Sequence, residues 1–114
     1  MTEMPSNVAA FLSDFSAYSM DIHAAGMATI PIALITEEGE LYMEYSYQSG
    51  QESRNGKMTL QDKGNNRFEG NWKTLADNGN SYQGSLYFIF DESGGAEGQY
   101  KFAGANYKII IFKK

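Results

Sequence analysis

The run Arg67-Phe68-Glu69-Gly70-Asn71-Trp72-Lys73-Thr74, then Asp77-Asn78-Gly79-Asn80, then Ser81-Tyr82-Gln83-Gly84-Ser85-Leu86-Tyr87-Phe88-Ile89-Phe90 decides the fold class. In the first part Phe68, Gly70 and Trp72 alternate with Arg67, Glu69, Asn71 and Lys73. In the last part Tyr82, Gly84, Leu86, Phe88 and Phe90 share one face. Side chains in a strand point to opposite faces in turn, so a period of two predicts strands with one buried side. Two such runs joined by a short turn containing Asn-Gly predict an antiparallel hairpin.

The same pattern continues outward in both directions. Glu92-Ser93-Gly94-Gly95 predicts a turn, and Ala96 to Phe102 a strand with Ala96, Gly98, Tyr100 and Phe102 inward. Gly104-Ala105-Asn106 predicts another turn, after which Tyr107 to Lys113 ends the pattern. Upstream, Lys57 to Gln61 places Met58 and Leu60 inward ahead of the turn Lys63-Gly64-Asn65-Asn66. Glu40 to Tyr47 alternates Leu41, Met43, Tyr45 and Tyr47 against Glu40, Tyr42, Glu44 and Ser46. Gln48 to Gly56 reads as a polar loop, the longest connection. Ala28 to Thr36 reads as a strand with Ile30, Ile32 and Leu34 on one face, ending at Glu37-Glu38-Gly39. Pro31 cannot donate a ladder hydrogen bond, which predicts an edge or a bulge there.

Residues 5–19 have a different period. Val8, Phe11, Leu12, Phe15 and Tyr18 recur at helical spacing, with Pro5 to open the helix and Ser6 or Asn7 to cap it. The expected protein is therefore one mainly β domain over residues 1–114: an amphipathic helix at about 5–19, then an antiparallel meander of about seven strands at about 27–113. The meander is expected to close into a small barrel, which removes exposed edges, with the helix over one end or face.

Three inward glycines stand out, in Phe68-x-Gly70-x-Trp72, Tyr82-x-Gly84-x-Leu86 and Ala96-x-Gly98-x-Tyr100. They can serve curvature, with an aromatic neighbour lying over each gap, or they can leave space for a ligand. Gly70-Asn71-Trp72, followed by Ser85 to Gly94 and by Glu97-Gly98-Gln99-Tyr100, resembles the opening hairpin of avidin-like and other calycin barrels. The resemblance covers about a quarter of the chain and implies a calycin-like architecture. In those families Gly-x-Trp opens the first strand, whereas here it lies past the middle, so no biotin-binding set carries over. Phe68 to Lys73 is also similar to a MORN repeat, without a second copy at a fixed period.

Charge is unevenly distributed. The first 53 residues carry eight acids and no base, and the other 61 carry nine bases and six acids, so −8 and +3 make up the net −5. The acidic balance argues against nucleic acid and anionic membrane as partners, since both require clustered Lys and Arg. The chain has no cysteine, which excludes disulfides, thiolate nucleophiles and Cys-based metal sites. The first residues lack the positive charge and apolar core of a signal peptide, and the apolar stretch from Gly26 to Ile35 is too short to span a bilayer. A soluble, cytoplasmic protein is expected.

Catalytic chemistry has few candidates. His23 is the single histidine, and Asp21 could orient it if the segment is extended. Asp14, Asp21 and His23 could together supply metal ligands, but no metal-binding spacing is present. Asp77-Asn78-Gly79-Asn80 lacks the downstream glutamate of a calcium loop, and Gly94-Gly95-x-x-Gly98 lacks the lysine of a P-loop. Glu69 and Glu97 fall on the outward face. An enzyme therefore ranks below a binding protein, and no metal or other cofactor is called for.

Two binding functions are expected. In the first, an interior lined by Phe68, Trp72, Tyr82, Phe88 and Tyr100 takes a small apolar or aromatic ligand. In the second, Glu40, Tyr42 and Glu44 form an acidic surface that docks on and inhibits a basic protein, as small immunity or anti-defence proteins do. Homodimerisation through an edge at Pro31 or through the last strand is compatible with both.

Overall fold

The computed structural model describes residues 6–22, 27–29, 32–35, 38–49 and 51–113. A helix α1 (Ser6–Ser13) and a single 3-10 turn (Phe15–Ala17) precede the strands. These are β1 (Tyr18–Ile22), β2 (Met27–Thr29), β3 (Ile32–Ile35), β4 (Leu41–Ser49), β5 (Glu52–Asp62), β6 (Arg67–Ala76), β7 (Ser81–Phe90), β8 (Ala96–Phe102) and β9 (Ala105–Lys113). All pair antiparallel in one sheet of order β2-β1-β9-β8-β7-β6-β5-β4-β3.

Seven consecutive neighbours, β3 to β9, form the expected meander. The hairpin β1–β2 extends it beyond β9, with Met20 opposite both Ile111 and Thr29. Strands β2 and β3 are separated by two residues yet stand at opposite ends of the strand order. Three Cα–Cα steps span at most roughly 11 Å, so the sheet curls until its two ends come within that reach. No ladder joins β2 to β3 or β4 among the described residues, so the curled sheet is not a fully closed barrel.

Three expectations about element boundaries are corrected. The helix expected over 5–19 ends at Ser13, and Tyr18 opens β1 instead of a last helical turn. Ser13 and Asp14 compete for backbone hydrogen bonds, which disfavours helix continuation. Tyr18 and Met20 then alternate inward along a strand that β9 can pair. Ala28 to Thr36 is not one strand: its first part pairs with β1 and its second with β4. Pro31 and Ile30 lie outside the described residues, as do the side chains of Ile32 and Leu34. Finally, most of the loop expected at Gln48–Gly56 belongs to two long strands, with Ser46 opposite Asn55 and Gln48 opposite Ser53. Ladder hydrogen bonds come from the backbone, so polar side chains do not prevent pairing. Asp77, in the turn after β6, also holds this hairpin, donating its N–H to the Ser53 carbonyl at 2.9 Å and accepting the Ser53 N–H at 3.1 Å.

The inner face follows the period-two expectation. Leu41, Met43, Tyr45, Met58, Leu60, Phe68, Trp72, Leu86, Phe88, Phe90, Ala96, Tyr100, Ile109 and Ile111 are buried in one core with Val8 and Phe11 of the helix. Each fully buried large apolar side chain contributes about 1.5–3 kcal/mol.

The inward glycines are sites of close approach. A Cβ at Gly70 would collide with the carbonyl oxygen of Thr59, and one at Gly98 with that of Tyr87. At Gly84 it would meet the Lys101 carbonyl and, at 2.8 Å, the Trp72 indole nitrogen. Neighbouring backbones crowd these positions, which is what tight coiling of a sheet requires.

Candidate functional site

The inner face has two unlike ends. At one, α1 lies across the sheet because Val8 and Phe11 are fully buried against it. Phe11 packs edge-on to Tyr18 at 5.3 Å and tilted on Phe90 at 5.7 Å, and Phe90 in turn packs against Phe68 at 5.7 Å and Phe88 at 6.1 Å. Polar links fasten this end. The Asn7 side-chain amide donates to the Phe90 carbonyl at 3.0 Å, so it ties the helix to β7 instead of capping it. The Tyr18 hydroxyl donates to the Ser93 carbonyl, and the Phe90 N–H donates to the Asn66 carbonyl at 2.9 Å.

The other end carries Trp72, Tyr82, Tyr100, Phe102 and Tyr107. Trp72 stands edge-on to Tyr100 at 5.7 Å and to Phe102 at 5.8 Å. Phe102 stands edge-on to Tyr82 at 5.6 Å, and Tyr100 stacks on Tyr107 at 5.4 Å. The Trp72 indole N–H donates to the Lys101 carbonyl at 3.2 Å, which fixes the ring. Tyr82, Phe102 and Tyr107 are only half-buried, and the Arg54 guanidinium lies 4.9 Å from the centre of the Tyr82 ring. Beneath them the buried hydroxyls of Tyr45 and Thr74 share a hydrogen bond of 2.8 Å. This end thus presents ring faces and edges together with phenolic hydroxyls.

The five ligand-lining residues expected from sequence therefore divide. Trp72, Tyr82 and Tyr100 come together at this aromatic end. Phe68 and Phe88 are cross-strand partners, fully buried in the cluster under the helix. Phe102, Tyr107 and Arg54 join the aromatic end although the sequence reading did not assign them to a site. Phe102 and Tyr107 were legible as strand residues, while Arg54 lay within the expected loop and its partner Tyr82 is 28 residues away.

On the outer face, Tyr42 donates its hydroxyl to Glu44 Oε1 at 2.7 Å. That hydrogen bond, with burial and the carboxylate's charge behind it, raises the phenol above its usual 10.0. Glu40 and Glu44 do not continue into an acidic sheet face. Glu44 stands opposite Lys57, and Lys57 opposite Lys73. Glu37 and the side chain of Glu52 lie outside the described residues.

Of the groups weighed for catalysis, His23 lies outside the described residues, Asp14 is exposed at the end of the helix, and Asp21 is half-buried opposite Ile110. Glu69 pairs with Arg67 at 2.7 Å. Among the described residues no group of three His, Cys, Asp or Glu could hold a metal, and no helix is long and apolar enough to cross a membrane. Asp77-Asn78-Gly79-Asn80 is a hairpin turn, with the Gly79 N–H donating to the Ala76 carbonyl at 3.0 Å. No protein-family model, curated protein or solved structure matches the chain.

Proposed function

We propose that this is a non-enzymatic small-molecule-binding protein with a calycin-like architecture, and that the aromatic end of its inner face takes a flat, apolar ligand. The observation that carries the reading is the unequal covering of the two ends. The helix seals the phenylalanine end, while Tyr82, Phe102 and Tyr107 remain half-exposed around the buried Trp72. Aromatic side chains left half-covered on a concave face, with fixed polar groups beside them, suit a ligand that stacks and is oriented by few hydrogen bonds. The curled sheet and the helix at one end support the calycin-like class.

The acidic surface at Glu40, Tyr42 and Glu44 is the alternative reading, in which a basic protein is the partner. It has less support, because Lys57 and Lys73 continue the same row of the outer face and break the negative field.

Trp72 is the only tryptophan, so its emission reports on the proposed site directly. Titration with the neutral fluorophore N-phenyl-1-naphthylamine is expected to give saturable energy transfer from Trp72. Phe102→Ala and Tyr82→Ala are expected to weaken it about tenfold, since each removes ring contact worth about 1–2 kcal/mol. Transfer that does not saturate, or that is unchanged in both variants, overturns the reading.

A further inference from the structure

The outer face carries a hollow that none of Trp72, Tyr82, Tyr100, Phe102 and Tyr107 lines. An open hollow of about 760 Å³ lies over β4 to β7, within the size range of small-ligand sites. Two rows of the ladder cross it. One runs Glu44, Lys57, Lys73, and the other Asn55, Leu75, Ser81.

Two features of these rows point to a ligand. Lys57 and Lys73 stand directly opposite one another on adjacent strands, where like charges repel. Both are exposed, and among the described residues neither ammonium group has an ion pair or a side-chain hydrogen bond. Glu44, on the far side of Lys57, already accepts the Tyr42 hydroxyl. An anion between the two ammonium groups would convert the repulsion into two charge-assisted hydrogen bonds. Beside them, Leu75 is 54% exposed, the most exposed large apolar residue described. Asn55 and Ser81 flank it in register and add polar groups at the rim.

We propose that this hollow binds a small organic anion in which a phosphate, sulfate or carboxylate is joined to an apolar group. Lys57 and Lys73 hold the anionic head, and Leu75 covers the apolar part. Glu44 sets the selectivity by repelling anions that reach past Lys57.

The test is an amide NMR titration of the full chain at constant ionic strength, with phenyl phosphate and then with inorganic phosphate. Phenyl phosphate is expected to shift Lys57, Lys73 and Leu75 saturably. Lys73→Gln is expected to weaken both probes about tenfold, the loss of one charged hydrogen bond. Leu75→Ser should weaken phenyl phosphate and leave inorganic phosphate unchanged, and Glu44→Gln should strengthen both. Lys101→Gln, on β8 outside the hollow, serves as the control and should change neither. All four positions are exposed on strands, so these variants are expected to keep the fold. Shifts that do not saturate, or that respond equally to Lys73→Gln and Lys101→Gln, overturn the proposal. Equal binding of the two probes, with Leu75→Ser silent on phenyl phosphate, overturns the apolar half of it.

Discussion

The phenylalanine end and the tyrosine–tryptophan end of the inner face are built from the same strands and the same alternation, yet they are different objects. At the first, Phe11, Phe68 and Phe88 are fully buried and have no polar atoms to satisfy. At the second, most of the rings carry a hydroxyl or an N–H, and three of the five are half-exposed. Phe lacks any group that needs water or a partner, so it can be sealed under a helix. Tyr and Trp carry a polar atom that is costly to bury alone, so they suit a boundary that water or a ligand can reach. The side-chain chemistry of each end matches the cover it receives.

The sharpest way to break this contrast is to truncate one ring at each end. Phe88→Ala is expected to cost about 3–5 kcal/mol in urea denaturation, because it leaves a cavity under the helix. Phe102→Ala should cost about 1–2 kcal/mol, since that ring is only partly buried. Equal losses would mean that both ends are closed core, and the binding reading would lose its basis.

Glycines give the next largest effect. At the phenylalanine end, a methyl at Gly98 meets the Tyr87 carbonyl oxygen, a backbone atom that cannot move without opening the ladder. Towards the other end, the nearest atoms to a methyl at Gly56 are the outer atoms of the Tyr45 ring, which belong to a side chain. Gly98→Ala should therefore destabilise by about 2–3 kcal/mol and Gly56→Ala by less, measured in the same denaturation series. The reverse order would show that coiling at Gly98 is not what holds the sheet in shape.

A smaller change of opposite sign is expected at the turn beside the aromatic end. Ala103 and Gly104 form a two-residue hairpin turn with φ of +53° and +84°. Both signs suit a type I′ turn, but an L-residue with a Cβ is strained at the first position. Ala103→Gly should raise stability by about 1 kcal/mol without changing the binding of a ligand at Trp72. Chemical denaturation and the fluorophore titration together separate the two effects.

The smallest effect concerns the outer face, where a tyrosine meets an acid instead of other rings. Tyr42 is held protonated in the folded chain by its hydrogen bond to Glu44, so its folded value lies above the usual 10.0. Its contribution to stability is fully present below pH 10 and is lost as pH rises through the raised folded value. An NMR titration of the Tyr42 ring should find its midpoint above 10.0, and Glu44→Gln should bring it down. A midpoint unaffected by Glu44→Gln would leave burial as the cause.

Much of the fold was legible because strand facing is a local property. The alternation at Phe68-Gly70-Trp72 and Leu86-Phe88-Phe90 places the same residues inward in the structure. The end of the helix was misread because Tyr18 continues the helical spacing of Val8 and Phe11 while also beginning a period of two. Only its partner Lys113, at the far end of the chain, decides between them. The site was half-legible for a related reason. Trp72, Tyr82 and Tyr100 could be assigned to the inner face, but not separated from Phe68 and Phe88, because alternation gives the face and not the height along it.

By itself, then, the sequence determined β4 and β6 to β9, their inward sides and the turns at Gly64, Gly79, Gly94 and Gly104. Those follow from backbone sterics and the pleat, which act within a few residues. Tertiary structure alone decided that Met27–Thr29 and Ile32–Ile35 serve opposite ends of the sheet. It also decided which aromatic end the helix covers, and that Lys57 faces Lys73. Each of these depends on which distant segment is the neighbour. That choice is made by the burial of the whole inner face at once, and no local run of residues encodes it.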